Sequence, residues 1–83
     1  MKELFSINQK VKIKKLSKES YLLYKQYKQS SPLIVCPCHL EDKILEIKNL
    51  FNDQIALLQY EDSITIVYLK DLIIAENLRL QTP

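Results

Sequence analysis

The sequence predicts a mainly β domain with a single α-helix ahead of its strands. Three observations carry that expectation. From Leu33 onward the chain is a series of short runs rich in apolar and β-branched residues. These runs are separated by Glu41-Asp42, Asn52-Asp53, Glu61-Asp62 and Lys70-Asp71, residue pairs suited to tight turns and breaks. Upstream, Ser17-Lys18-Glu19-Ser20 supplies helix-capping residues, and Ser30-Ser31-Pro32 supplies a stop.

The elements follow in order. Residues 1–16 read as a basic N-terminal arm, in which Val11 and Ile13 alternate with Lys10, Lys12 and Lys14 as a short strand or an extended segment. Residues 17–30 read as the helix, with Tyr21, Leu22, Leu23, Tyr24 and Tyr27 mixing apolar and amphipathic positions. Five strands are expected between residues 33 and 80: Leu33–Leu40, Lys43–Phe51, Gln54–Tyr60, Ser63–Leu69 and Leu72–Leu80. Residues 17–83 would then form one domain. Pro37 lacks a backbone donor and suggests an edge or bulged position on the first of these strands. An alternative makes Glu41 to Phe51 a helix, because Ile44, Leu45, Ile47, Leu50 and Phe51 also fit a helical stripe. That alternative is a small α+β fold of β-α-β-β order, similar to the SepF family of division proteins, and implies an assembly module.

Composition narrows the function classes. At 83 residues the chain holds one domain at most, with a thin core that partner subunits would supplement. There is no glycine, so no phosphate-cradling P-loop, dinucleotide fingerprint or nucleophile elbow is present. One His and two Cys leave no catalytic spacing, and the expectation is a protein that is not an enzyme and uses no cofactor. The apolar runs are too short to span a membrane, and the N-terminus has no secretory stretch, which points to a reducing cytoplasm.

Charge is unevenly distributed. Residues 1–28 carry eight lysines against two glutamates, a net of +6, whereas residues 29–83 carry four cations against eight carboxylates, a net of −4. A lysine-rich leading segment on an acidic body suggests contact with a polyanion through Lys10, Lys12, Lys14 and Lys15. Its cations are all lysine, so the attraction would be nonspecific.

Two motifs compete with plainer readings. Cys36-Pro37-Cys38-His39 invites a metal, but on a strand the two thiols share one face and His39 the other, and no second pair completes four ligands. Cys36 and Cys38 are therefore expected to pack as small apolar groups, with no metal and no mutual disulfide. Tyr21, Tyr24 and Tyr27 lie near one helix face beside Lys25 and Lys28. Such a face suits single-stranded bases, but a stripe of this kind more often packs a helix onto a barrel or a neighbouring subunit.

The order of helix, Pro, then five strands resembles the Sm architecture, a helix laid on a bent five-stranded barrel, and in detail the Hfq family of bacterial Sm-like proteins. Leu22-Leu23 with Lys25, Lys28 and Pro32-Leu33 is similar to the family's helix and its following Pro-Val. Phe51-Asn52-Asp53-Gln54-Ile55-Ala56-Leu57-Leu58 resembles its Phe-Asp-x-Phe-x-x-Leu-Leu segment, and Val67-Tyr68-Leu69-Lys70-Asp71-Leu72-Ile73 its Val-Tyr-Lys-His-Ala-Ile segment. The family's bending glycines are absent, with Glu46 and Glu41-Asp42 near their positions. Gln54 stands at the second Phe of its uridine pocket, and Leu69-Lys70 at its Lys-His pair. The resemblance implies an RNA-binding homohexameric ring acting in post-transcriptional regulation or as an RNA chaperone. Tyr68 and Lys70 would lie on the inner face, with Gln54 and Asn52 next to them. The alternative partner is another protein, bound by an adaptor ring of the same fold.

Overall fold

The computed structural model describes residues 5–75. It is a small α+β protein in which five strands form one antiparallel sheet: β1 (Lys10–Ile13), β2 (Leu45–Phe51), β3 (Ile55–Tyr60), β4 (Ser63–Tyr68) and β5 (Leu72–Ile74), ordered β4-β3-β2-β1-β5. Helix α1 (Lys18–Lys28) lies between β1 and β2 in sequence and packs on β4. Short 3-10 turns occupy Pro37–Leu40 and Leu69–Asp71.

Helix α1 forms where its caps predict. The Ser17 hydroxyl accepts the Ser20 backbone N–H at 3.1 Å, which satisfies one of the donors a helix start leaves without an intrahelical partner. At the far end, Lys28 Nζ donates to the carbonyls of Pro32 and Ile34, at 2.7 and 2.8 Å, and so ties down the chain leaving the helix. This lysine serves the fold.

The core alternates as half-buried strands dictate. Val11, Ile13, Leu45, Ile47, Ala56, Leu58 and Val67 point into it, and Leu40 and Leu72 close it. Strand β4 is buried on both faces: Val67 joins this core, and Ile66 faces the opposite way yet is also buried, beneath α1. Strand β2 carries a bulge between Ile47 and Asn49, which bends it without any glycine.

The β4–β5 connection sets the curvature. In a flat five-stranded sheet β4 and β5 would stand about 19 Å apart, four spacings of about 4.8 Å. The link from Tyr68 to Leu72 reaches at most about 14 Å. The sheet therefore curls until its two edges approach. Among the described residues it stays open, since β4 and β5 share no ladder there.

Several expectations are corrected. Leu33–Leu40 is not a strand: Ile34 makes an isolated parallel bridge to Ile64, and Pro37 opens a 3-10 turn, a first-turn position where its missing N–H costs nothing. The five strands are instead completed by β1, so residues 10–13 belong to the sheet and not to a detached arm, because Val11 and Ile13 are buried between β2 and β5. One strand thus precedes the helix, where the resemblance implies none. Among the described residues the sheet is bent as expected but not closed into a barrel. The helical alternative for Glu41–Phe51 fails, because Leu45 and Ile47 are buried around a half-exposed Glu46, the period of a strand. The expected continuation of β5 beyond Ala75, to Leu80, lies outside the described residues. Among the described residues no helix is long and apolar enough to cross a membrane.

Candidate nucleic-acid interface

The second 3-10 turn organises the predicted site. Its Leu69 N–H donates to the Gln54 carbonyl at 2.7 Å, and Tyr68 pairs with Ile55 across the β3–β4 ladder. The β2–β3 turn, which exposes Asn52, Asp53 and Gln54, is thereby held against the segment bearing Tyr68 and Lys70. Asn52 and Asp53 both adopt left-handed backbone, with φ of 56° and 58°, a conformation these short polar residues tolerate better than most. On the other side of the 3-10 turn, the Lys14 N–H donates to the Asp71 carbonyl at 2.7 Å, which brings the chain of exposed Lys14 and Lys15 to the same end of the sheet.

The structure thus gathers Gln54, Tyr68, Lys70 and the Lys14-Lys15 backbone around one turn, with Asn52 on the adjoining loop. Lys10 and Lys12 are elsewhere, half-buried on the outward face of β1. Lys10 Nζ sits 3.4 Å from Glu46, so its charge already has a partner.

Lys70 is partnered as well. Its ammonium lies 2.5 Å from the Glu19 carboxylate and 5.9 Å from the centre of the Tyr68 ring. The hydrogen bond to Glu19 holds the Lys70 ammonium above the ordinary lysine value. Both side chains are more than half exposed, so water and salt screen the pair strongly. An incoming phosphate would compete with Glu19 for this cation. The site is a cation and a half-buried aromatic side by side, gated by an acid.

Sequence reasoning missed the residues that hold this end together. Asp71 is nearly fully buried, and its Oδ2 accepts both the Ser17 N–H at 2.9 Å and the Ser17 hydroxyl at 2.8 Å. The fully buried Ser20 hydroxyl in turn accepts the Tyr68 N–H at 2.9 Å. Asp71, Ser17 and Ser20 therefore clasp the 3-10 turn to the start of α1, where a carboxylate also suits the positive end of the helix. The Ser17-x-x-Ser20 spacing gave the cap, but nothing local pairs it with a residue 54 positions away.

Away from this end, α1 presents Tyr21, Leu22 and Tyr27 to solvent, and Lys25 lies 5.6 Å from the Tyr21 ring. Tyr24 is half-buried and packs its ring 6.0 Å from that of Tyr21; partial desolvation pushes its hydroxyl up, and neighbouring Cys36 adds to the shift. No cluster of three or more His, Cys, Asp or Glu side chains that could hold a metal occurs among the described residues. The chain has no significant match to a protein-family model, a curated protein or a solved structure.

Proposed function

We propose that this chain is an Sm-like domain that binds single-stranded RNA at the end of its sheet, around the Leu69–Asp71 turn. The observation that carries the reading is the convergence there of Tyr68, Lys70, Gln54 and the Lys14-Lys15 chain. An aromatic ring offers a stacking surface to any base, and lysines beside it attract the phosphates. The curled five-stranded sheet supports the Sm-like part of the reading. A cytoplasmic role in post-transcriptional regulation belongs to the same proposal.

Assembly into a homohexameric ring belongs to the same proposal. In it, the outer edge of β5 in one copy would pair with the β4 edge of the next, which Val35 and Ser20 engage within the chain and would have to release. Light scattering distinguishes a hexamer from a two-fold pair of β5 edges or from a monomer.

The decisive experiment is binding of a single-stranded RNA oligonucleotide, followed by anisotropy across a salt series. Substituting Lys14 and Lys15 by Gln together should flatten the log–log salt slope by about 0.7 for each phosphate no longer neutralised. Lys70→Ala should weaken binding at every salt concentration without lowering the melting temperature. Unchanged affinity in both variants would remove the RNA reading. The adaptor reading would then stand on α1, whose exposed Tyr21, Leu22 and Tyr27 offer apolar area to another protein.

A further inference from the structure

Cys36 and Cys38 do not sit as the sequence suggests. Cys36 caps the first 3-10 turn with extended backbone, and Cys38 is two residues on, within the turn. The bend replaces the strand geometry that would have spaced the side chains apart, and brings the two sulfurs to 2.6 Å, in hydrogen-bonding contact. Both thiols are free; Cys38 is exposed and Cys36 half-buried. Pro37 between them is fully buried, so its ring and fixed φ anchor the turn from which both thiols are presented. Tyr24 is the neighbouring aromatic, and no third metal-ligating side chain joins the pair among the described residues. The chemistry available is that of two adjacent thiols.

We propose that Cys36 and Cys38 form a reversible dithiol–disulfide couple whose co-substrate is a small-molecule disulfide. A thiolate from one cysteine attacks one sulfur of R–S–S–R, forming a mixed disulfide and releasing RS⁻. The second cysteine loses its proton, and its thiolate attacks the protein sulfur of that mixed disulfide, expelling the second RS⁻. Two protons move from the cysteines to the released thiolates, and two electrons pass from the protein to the small disulfide. The second step is intramolecular between sulfurs already in contact, which makes the mixed disulfide short-lived. The hydrogen bond with Cys36, and then burial, push the Cys38 thiol above its ordinary value, so exchange accelerates as pH rises into and beyond the usual thiol range.

The couple is joined to the fold through Val35, which precedes Cys36. The Val35 N–H donates to the Ile64 carbonyl at 2.8 Å, and its carbonyl accepts the Thr65 hydroxyl at 2.8 Å, so the dithiol turn begins at the covered edge of β4.

The test incubates the reduced full chain with oxidised glutathione at pH 8 and follows intact mass. The expected main product is a monomer lighter by two hydrogens, in about tenfold excess over glutathione adducts, because the resolving thiol is intramolecular. Cys36→Ser and Cys38→Ser should each stall as a stable single adduct. Stable adducts on the unmodified chain at the level of the serine variants would overturn the proposal. So would a covalent dimer as main product, or no reaction.

Discussion

The two outer strands of the sheet are treated differently. On β4 two outward backbone groups and one side chain have partners from within the chain. Ile64 accepts from Val35, Tyr68 donates to Ser20, and the Thr65 hydroxyl reaches the Val35 carbonyl. Helix α1 covers the face alongside. Among the described residues, β5 pairs three residues with β1, the Ala75 N–H that follows donates to the Lys10 carbonyl at 2.9 Å, and Ile73 is exposed. An edge strand is a template for further pairing, and proteins blunt it by cover, shortness or charge. Here one edge is partly covered, and the described part of the other is short. The lesson is that a loop of apolar sequence, residues 33–40, became the cover of a sheet instead of a member of it.

The largest expected effect comes from the clasp that joins both edges. Asp71→Ala strips two hydrogen bonds from Ser17 and leaves its N–H without this acceptor in a part-buried place, at a cost of about 3 kcal/mol. Urea unfolding measures it, and a loss under about 1 kcal/mol would show that the clasp is incidental.

On the covered edge, Ser20→Ala should cost about 2 kcal/mol, because the Tyr68 N–H loses its acceptor at a fully buried site. Thr65→Val preserves shape and removes one hydrogen bond, so about 1 kcal/mol is expected. The two together should expose β4 and make the mass in light scattering rise with concentration. A monomer at all concentrations would mean that α1 alone protects the edge.

Ile73→Lys probes the short edge. Stability should change by no more than about 0.5 kcal/mol, since the side chain is exposed. Any oligomer built on β5 should nevertheless dissociate; an unchanged mass moves the interface elsewhere.

The smallest effect concerns Lys70. Its folded value is raised by Glu19, so the pair's contribution is fully present below the ordinary lysine range and is lost as pH climbs through and above it. Lys70→Gln should leave melting between pH 6 and pH 9 almost unchanged and abolish only a shallow decline at higher pH. A large loss near neutrality would contradict the screened, exposed geometry.

Local chemistry made much of this chain legible. Ser17 and the Ser30-Ser31-Pro32 stop bound the helix, because capping is decided within a few residues. Asn52-Asp53 and Glu61-Asp62 marked turns for the same reason. Even without glycine, Asn52, Asp53 and Glu61 take left-handed backbone, with φ of 56°, 58° and 53°. Strands β2, β3 and β4 were readable from alternation, with ends displaced by one or two residues.

What tertiary structure decided has a common physical origin: it depends on partners far apart in sequence. Val11 and Ile13 form a strand because Leu45 and Ile74 lie on either side of Val11 and Leu72 beside Ile13, and no local pattern distinguishes that from an extended arm. Leu33–Leu40 shows the converse: apolar and β-branched enough for a strand, it spends its hydrogen bonds on one bridge and a proline-led turn. The candidate site followed the same division. Tyr68, Lys70 and Gln54 were found as residue types, but the ammonium of Lys70 is paired with Glu19, 51 residues earlier in the chain. Sequence determined which segments turn and which are buried; only the packed chain determined which segments pair and which charges remain unpaired, because pairing energy belongs to two distant residues at once.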